Sequence, residues 1–112
     1  MPTKKQHARL YVEDYEIIFR LSPSERAVWL SLAYFAKCTF DQNFIIRKSW
    51  PSQEKLAALL GCSIPTLRRG IPRLQERRPD GTMAEEGDKD RMLEGKRRAA
   101  NSAVYILTSK IS

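Results

Sequence analysis

One histidine, His7, and two cysteines, Cys38 and Cys62, are all the imidazole and thiol ligands that the 112-residue chain offers. No metal-ligand spacing relates them, so the sequence excludes a zinc site and a disulfide framework, and no metal or cofactor is expected. The two cysteines read either as small buried hydrophobes in a reducing compartment or as a single bridge. Long apolar runs are also missing. The longest, residues 27–36, falls well short of the roughly 18 residues that a membrane span needs. Glu13, Asp14 and Glu16 interrupt any signal-peptide pattern, so a cytoplasmic protein without membrane attachment is expected. No nucleophile–base pair and no phosphate-cradling glycine loop is present, and Glu85, Glu86, Asp88 and Asp90 read as a solvated loop, which argues against an enzyme.

What the chain has in quantity is positive charge, unevenly placed. The net +7 resolves into +3 over residues 1–10, neutrality over 11–62, +4 over 63–78, −4 over 79–95 and +4 over 96–112. Polyanion binding accounts for such clusters, because each Lys or Arg that meets a phosphate releases condensed counterions; a basic surface that serves solubility alone accounts for them too. With 42% hydrophobic and 29% charged residues, the composition is that of one folded domain.

Tyr11, Tyr15, Ile18 and Phe19 suggest a short leading helix over residues 13–20, although Ile17, Ile18 and Phe19 also suit a strand. Ser22-Pro23-Ser24-Glu25 has the form of a capping box with proline in the first helical position, where its missing donor costs nothing. Val28, Trp29, Leu32, Ala33, Phe35 and Ala36 then form a wide apolar stripe that runs to Lys37. After the turn-forming Asp41-Gln42-Asn43, the run Phe44-Ile45-Ile46-Arg47 reads as a short strand.

A second helix opens at Pro51-Ser52-Gln53-Glu54 with Ser52 as its cap, and Leu56, Ala57, Leu59 and Leu60 give it a buried face about eight residues long. Gly61 suits the left-handed conformation that stops a helix. Ser63 caps the next one, Pro65 lies in its first turn, and Leu67, Ile71 and Leu74 repeat at core spacing. Two short helices about a glycine turn form a helix-turn-helix, whose second helix lies in the major groove of DNA. Thr66, Arg68, Arg69 and Arg73 project from its polar face, and a guanidinium fork matches phosphate, or the O6 and N7 of guanine. The competing reading is an amphipathic helix with a solvated outer face. Gly70 and Pro72 interrupt the helix-forming pattern, at costs of about 1 and 3 kcal/mol, so a kink or an early stop near Gly70 is expected. A kink there turns Arg73, Arg77 and Arg78 toward the phosphate backbone.

The stretch 51–69, PSQEKLAALLGCSIPTLRR, resembles the helix-turn-helix core of winged-helix proteins found in plasmid and phage replication initiators and related bacterial regulators. With a leading helix before it and a strand pair after it, the resemblance spans residues 20–108. It implies a mainly α fold with a small β component, a three-helix core plus a β-hairpin wing. It also implies a bacterial, nucleoid- or plasmid-associated setting.

Residues 102–108, with Val104, Tyr105, Ile106 and Leu107, form the best strand candidate, and its partner is expected near residues 82–86. The hairpin between them is then a long wing holding an acidic arm, residues 85–94, which pairs with a neighbouring subunit or stays mobile. Lys96, Arg97 and Arg98 follow it as a minor-groove or phosphate contact. The domain plan is a basic arm at 1–9, whose Lys4, Lys5 and Arg9 grip the backbone or are merely solvated, followed by a winged helix-turn-helix at 10–112. Within it the helix-turn-helix covers 52–77 and the wing 79–108. The expected DNA-binding residues are Ser52, Gln53, Ser63, Pro65, Thr66, Arg68, Arg69, Arg73, Lys96, Arg97 and Arg98.

The expected function is sequence-specific binding of double-stranded DNA, as a homodimer on repeated or palindromic half-sites. It serves transcription control, or plasmid or phage replication or partition, with replication or partition proteins as further partners. A domain following Ser112 favours an initiator, and a complete chain of 112 residues favours a small regulator. The alternative is a winged-helix protein–protein interaction module without specific DNA binding, using Trp29, Tyr11, Tyr15 or Phe19 at an interface.

Overall fold

The computed structural model describes residues 10–99 and 102–110, and among these the side chains of residues 96–99 and 102 are not described. The basic arm expected at 1–9 therefore lies outside the described residues.

Helix α1 spans Val12–Phe19. The Tyr11 N–H donates to Asp14 Oδ2 at 2.7 Å, satisfying a donor that a helix start leaves open. Helix α2 spans Pro23–Tyr34 and opens with the expected reciprocal cap: the Glu25 N–H donates to Ser22 Oγ and the Ser22 N–H to Glu25 Oε1. It ends at Tyr34, before Lys37, because Lys37–Asp41 forms strand β1. A two-residue turn, Gln42-Asn43, returns the chain as strand β2, Phe44–Ser49. Gln42 has φ 53°, the positive value that a type II′ hairpin turn needs at its first central position.

Helices α3, Gln53–Leu60, and α4, Ile64–Gln75, follow, and strands β3, Leu93–Ala99, and β4, Ser102–Lys110, close the fold. All strand pairs are antiparallel, in the order β1-β2-β4-β3. Among the described residues the result is a winged helix-turn-helix of four helices and a four-stranded sheet, in which β1 adds to the short strand at Phe44 and the hairpin that were expected.

Trp29, Leu32, Leu56, Leu67, Leu74, Met92, Leu93 and Leu107 fill the core between the helices and the sheet. Along β2, Ile45, Arg47 and Ser49 turn inward, and along β4 Tyr105, Leu107 and Ser109 share that face. Arg47 is a buried cation and is matched accordingly. Its Nη1 and Nη2 donate to Asp14 Oδ1 and Oδ2 at 3.1 and 2.6 Å, Ser109 Oγ lies 3.4 Å away, and the guanidinium sits 5.1 Å from the Trp29 ring centroid. This fork ties α1 to the middle of the sheet. It also needs Trp29 fully inside, which corrects the expectation of Trp29 at an interface.

α4 runs through Gly70 and Pro72 without the early stop that their propensities suggest. Gly70 faces α2, where an added Cβ would come within 3.0 Å of Val28 Cγ2, so glycine here permits close helix packing. Pro72 falls on the exposed side, where water can serve the Arg68 carbonyl deprived of its N–H partner.

The partner of β4 is β3, with Lys96 opposite Val104 and Arg97 opposite Ala103, and not residues 82–86. Those residues belong to a loop folded beneath α4. Asp80 Oδ1 accepts from both the Thr82 N–H and its hydroxyl, Met83 bridges back to Arg77, and Met92 is fully buried with its N–H on the Arg77 carbonyl. Most of the acidic stretch precedes the β3–β4 hairpin, and it is tied to the segment after α4, since Arg78 Nε donates to Asp88 Oδ2 at 2.8 Å.

Candidate nucleic-acid interface

The α3–α4 pair is joined by Gly61-Cys62-Ser63. Gly61 adopts the left-handed conformation, φ 66° and ψ 32°, and the Cys62 N–H returns to the Ala57 carbonyl at 3.0 Å. Ser52 Oγ accepts the Lys55 N–H and Ser63 Oγ accepts the Thr66 N–H, so both serines act as the caps expected of them. Each is thereby engaged with its own helix start.

α4 divides sharply between its two sides. Leu67, Gly70, Ile71 and Leu74 are buried, whereas Pro65, Thr66, Arg68, Arg69, Pro72 and Arg73 are exposed. Three of the exposed side chains are linked to neighbours in ways that restrain them. Arg68 Nε donates to Gln53 Oε1 at 3.0 Å, which carries an orienting contact from α3 to α4. Thr66 Oγ1 lies 2.9 Å from Ser63 Oγ and 3.4 Å from Arg69 Nη2. Among the described residues, no carboxylate forms an ion pair with Arg68, Arg69 or Arg73.

Other described arginines are engaged within the fold. Arg77 Nε and Nη2 fork onto Glu25 Oε2 and Oε1 at 3.0 and 2.8 Å, and Arg77 Nη1 caps the Gly81 carbonyl. Arg91 donates to the Gln75 carbonyl at the end of α4 and to that of Asp88, while Arg26 serves the carbonyls of Ile18 and Leu21. Arg77 and Arg78 are thus withheld from the role that a kinked helix would have given them, since Glu25 and Asp88 hold them. Burial acts to raise the pKa of Glu25, but the Arg77 hydrogen bonds, the Ser22 N–H and hydroxyl and the Arg77 charge outweigh it and leave the pKa below the usual value.

A surface cleft of about 240 Å³ runs between α4 and the start of α2, with Thr66, Arg69 and Arg73 on one side, Ser24 on the other, and Val28 and Gly70 between. Ser24 was not among the expected interface residues. No local pattern marks it, because only the packing of α2 on α4 brings it there.

Of the wing triplet, the backbone alone is described. Lys96 and Arg97 lie in paired register on β3, and Arg98 is the extra residue where the pairing shifts between Arg97 and Ala99. Gly95 precedes them where β3 passes the end of α4, since its added Cβ would lie 3.7 Å from Gln75 Nε2. The structure therefore gathers Ser52, Gln53, Ser63, Pro65, Thr66, Arg68, Arg69 and Arg73 around the helix-turn-helix, and it sets Lys96, Arg97 and Arg98 on a separate strand leaving the C-terminal end of α4.

No helix of the described residues is long and apolar enough to cross a membrane. A family model described as a helix-turn-helix domain matches residues 20–78, from the end of α1 through α4, and the chain belongs to that family of DNA-binding domains. No curated protein and no solved structure matches the chain.

Proposed function

We propose that this helix-turn-helix protein recognises specific sequences in double-stranded DNA, with α4 in the major groove and the β3–β4 wing against the backbone. The observation that carries the reading is the division among arginines: Arg47, Arg77 and Arg78 have carboxylate partners, whereas Arg68, Arg69 and Arg73 stand on one exposed helix side without any among the described residues. Unpaired guanidinium groups on a rigid helix lose little on meeting an anion, because they exchange water and counterions for acceptors. Arg68, oriented by Gln53, and Arg69, beside Thr66, are the base-reading residues, and Arg73 contacts phosphate. Ser52, Ser63 and Pro65 lie at the helix starts, and the N–H groups there that the serine caps leave open, those of Gln53 and Ile64, suit phosphate oxygens. Lys96, Arg97 and Arg98 extend the contact from the wing. The process served is transcription control, or replication or partition of a plasmid or phage, in keeping with the resemblance of residues 51–69.

The test is selection of bound fragments from random duplex DNA at moderate salt, repeated with Arg68→Ala, Arg69→Ala and Arg73→Ala. The first two are expected to relax preference at particular bases, by about 1–3 kcal/mol for a bidentate contact. Arg73→Ala is expected to weaken all fragments alike and to lower the salt slope by about 1. Uniform weakening by all three substitutions refutes base reading by Arg68 and Arg69, and the absence of bound DNA refutes the function.

One observation favours protein association as a second reading. On α1, Val12, Tyr15 and Phe19 are exposed at helical spacing, Val12 by 79% and Phe19 by 71%. A partner held by that stripe should remain bound as salt rises, whereas DNA should be released steeply.

A further inference from the structure

Strand β1 is the edge of the sheet opposite the wing, and its outer side meets no other described strand. The two-residue turn makes Asp41 and Phe44 a hydrogen-bonded pair, so Asp41, Thr39 and Lys37 direct their backbone groups to β2. Cys38 and Phe40 therefore direct theirs outward. The side chains follow a matching division. Cys38 and Phe40 lie opposite Arg47 and Ile45 and share the helix-facing side of the sheet, whereas Lys37, Thr39 and Asp41 lie on the other side.

Two features of this edge are incomplete. Phe40 is on the side that should be dry and touches Tyr11 edge-on at 5.3 Å, yet it stays 57% exposed. Lys37 lies directly opposite Lys48, a like-charge pairing that disfavours the hairpin.

We infer that β1 pairs antiparallel with β1 of a second copy of this chain, about a two-fold axis at Thr39. This register is the one in which every residue finds a complement. The outward backbone groups of Cys38 in each copy face those of Phe40 in the other, giving two hydrogen-bonded pairs. Phe40 gains the opposing Cys38 on the dry side, and Lys37 of each copy meets Asp41 of the other, which relieves the crowding by Lys48. A shift by one residue in either direction loses both charge matches. The contact is isologous and closes as a dimer with a continuous eight-stranded sheet. β3 and α4 lie at the far side of the sheet from β1, so pairing leaves both free for DNA.

The experiment is sedimentation of the protein without DNA, which keeps this inference separate from the DNA reading. The wild type should show a concentration-dependent dimer. Lys37→Asp and Asp41→Lys should each raise the dissociation constant about tenfold, because each turns two attractive cross-strand pairs into repulsive ones. The double charge exchange should restore the wild-type value, and both positions are exposed to solvent, so thermal unfolding should stay a single transition near that of the wild type. In addition, Thr39→Cys should form a disulfide between the two copies on mild oxidation, since directly opposed residues of a non-hydrogen-bonded pair lie about 4.5 Å apart. A monomer at all concentrations overturns the inference. So does a dimer that ignores the single charge changes, or one that the double exchange fails to restore.

Discussion

Gly70 offers the most discriminating test of how the recognition helix is seated. Replacing it by alanine adds one methyl group and makes two opposed changes. The helix interior gains about 1 kcal/mol, because alanine loses less backbone freedom than glycine. Against this, the new Cβ falls 3.0 Å from Val28 Cγ2, well inside ordinary van der Waals contact. Val28 has little room to yield: it is 4% exposed, and as a β-branched residue within α2 it has one strongly preferred rotamer. Overpacking of this kind costs about 2 kcal/mol. The steric term therefore wins, and Gly70→Ala should lower stability by about 1 kcal/mol, a fall in Tm of about 5 °C for a domain of this size. Val28→Ala alone should cost about 2 kcal/mol through lost burial and a cavity. In that background the obstacle is gone, and Gly70→Ala should then stabilise by about 1 kcal/mol. Urea unfolding of the four proteins, with unchanged m-values, measures the cycle. Stabilisation by Gly70→Ala in the wild type, or an effect of the same sign in both backgrounds, would falsify the account of Gly70 as a packing requirement.

Other outcomes follow from the buried charges and the turn. Asp14→Ala should cost about 3–5 kcal/mol in urea unfolding by removing the carboxylate that balances the buried Arg47, whereas Asp14→Leu combined with Arg47→Met should recover most of it; equal losses in both would show that charge matching is not the cause. Glu25 has a depressed pKa in the fold, so its contribution is complete above the unfolded value, about pH 4.3, and is lost as pH falls through the lower folded value. The acid limb of stability should therefore be shallower in Glu25→Gln, and an unchanged limb measured by thermal unfolding from pH 2 to 6 (roughly the carboxylate range) would contradict the Arg77 pairing. Gly61→Ala meets no atoms within 4 Å, so its cost is conformational alone, about 1 kcal/mol, and Gly61→Asn should cost less; a loss beyond about 3 kcal/mol would mean a packing role instead.

What could be read ahead of the structure was local. The caps at Ser22, Ser52 and Ser63 and the stop at Gly61 each depend on residues within one turn, and each forms as read. β1 left no such trace: KCTFD is nearly all exposed, so the alternation that marks a half-buried strand is absent. β3 was hidden by its own composition, since LEGKRRA shows charge and glycine where a strand would show β-branched residues. The Met92-Leu93 pair, both buried, was the one apolar signal in that region. Continuity of α4 was beyond local reasoning, because the value of Gly70 resides in Val28 of another helix. The arginines of the interface were legible by spacing on α4, but the diversion of Arg77 required knowing that Glu25 lies across from it.

That diversion bears on how the charge works. A count by sequence puts five arginines between residues 63 and 78 and an excess of carboxylates just after them, which suggests two opposed fields side by side. The fold rearranges this. Glu25 and Asp88 take Arg77 and Arg78, and the hydrogen bonds that Asp88 accepts from the Glu85 N–H and from Arg78 lower its pKa from the usual value, which favours the charged form that pairs with Arg78. Cancellation just beyond the C-terminal end of α4 leaves the uncompensated positive charge of this segment on α4 itself, at Arg68, Arg69 and Arg73. A field concentrated on one side of one rigid helix orients an approaching duplex, where the same charge spread over the molecule would only attract it.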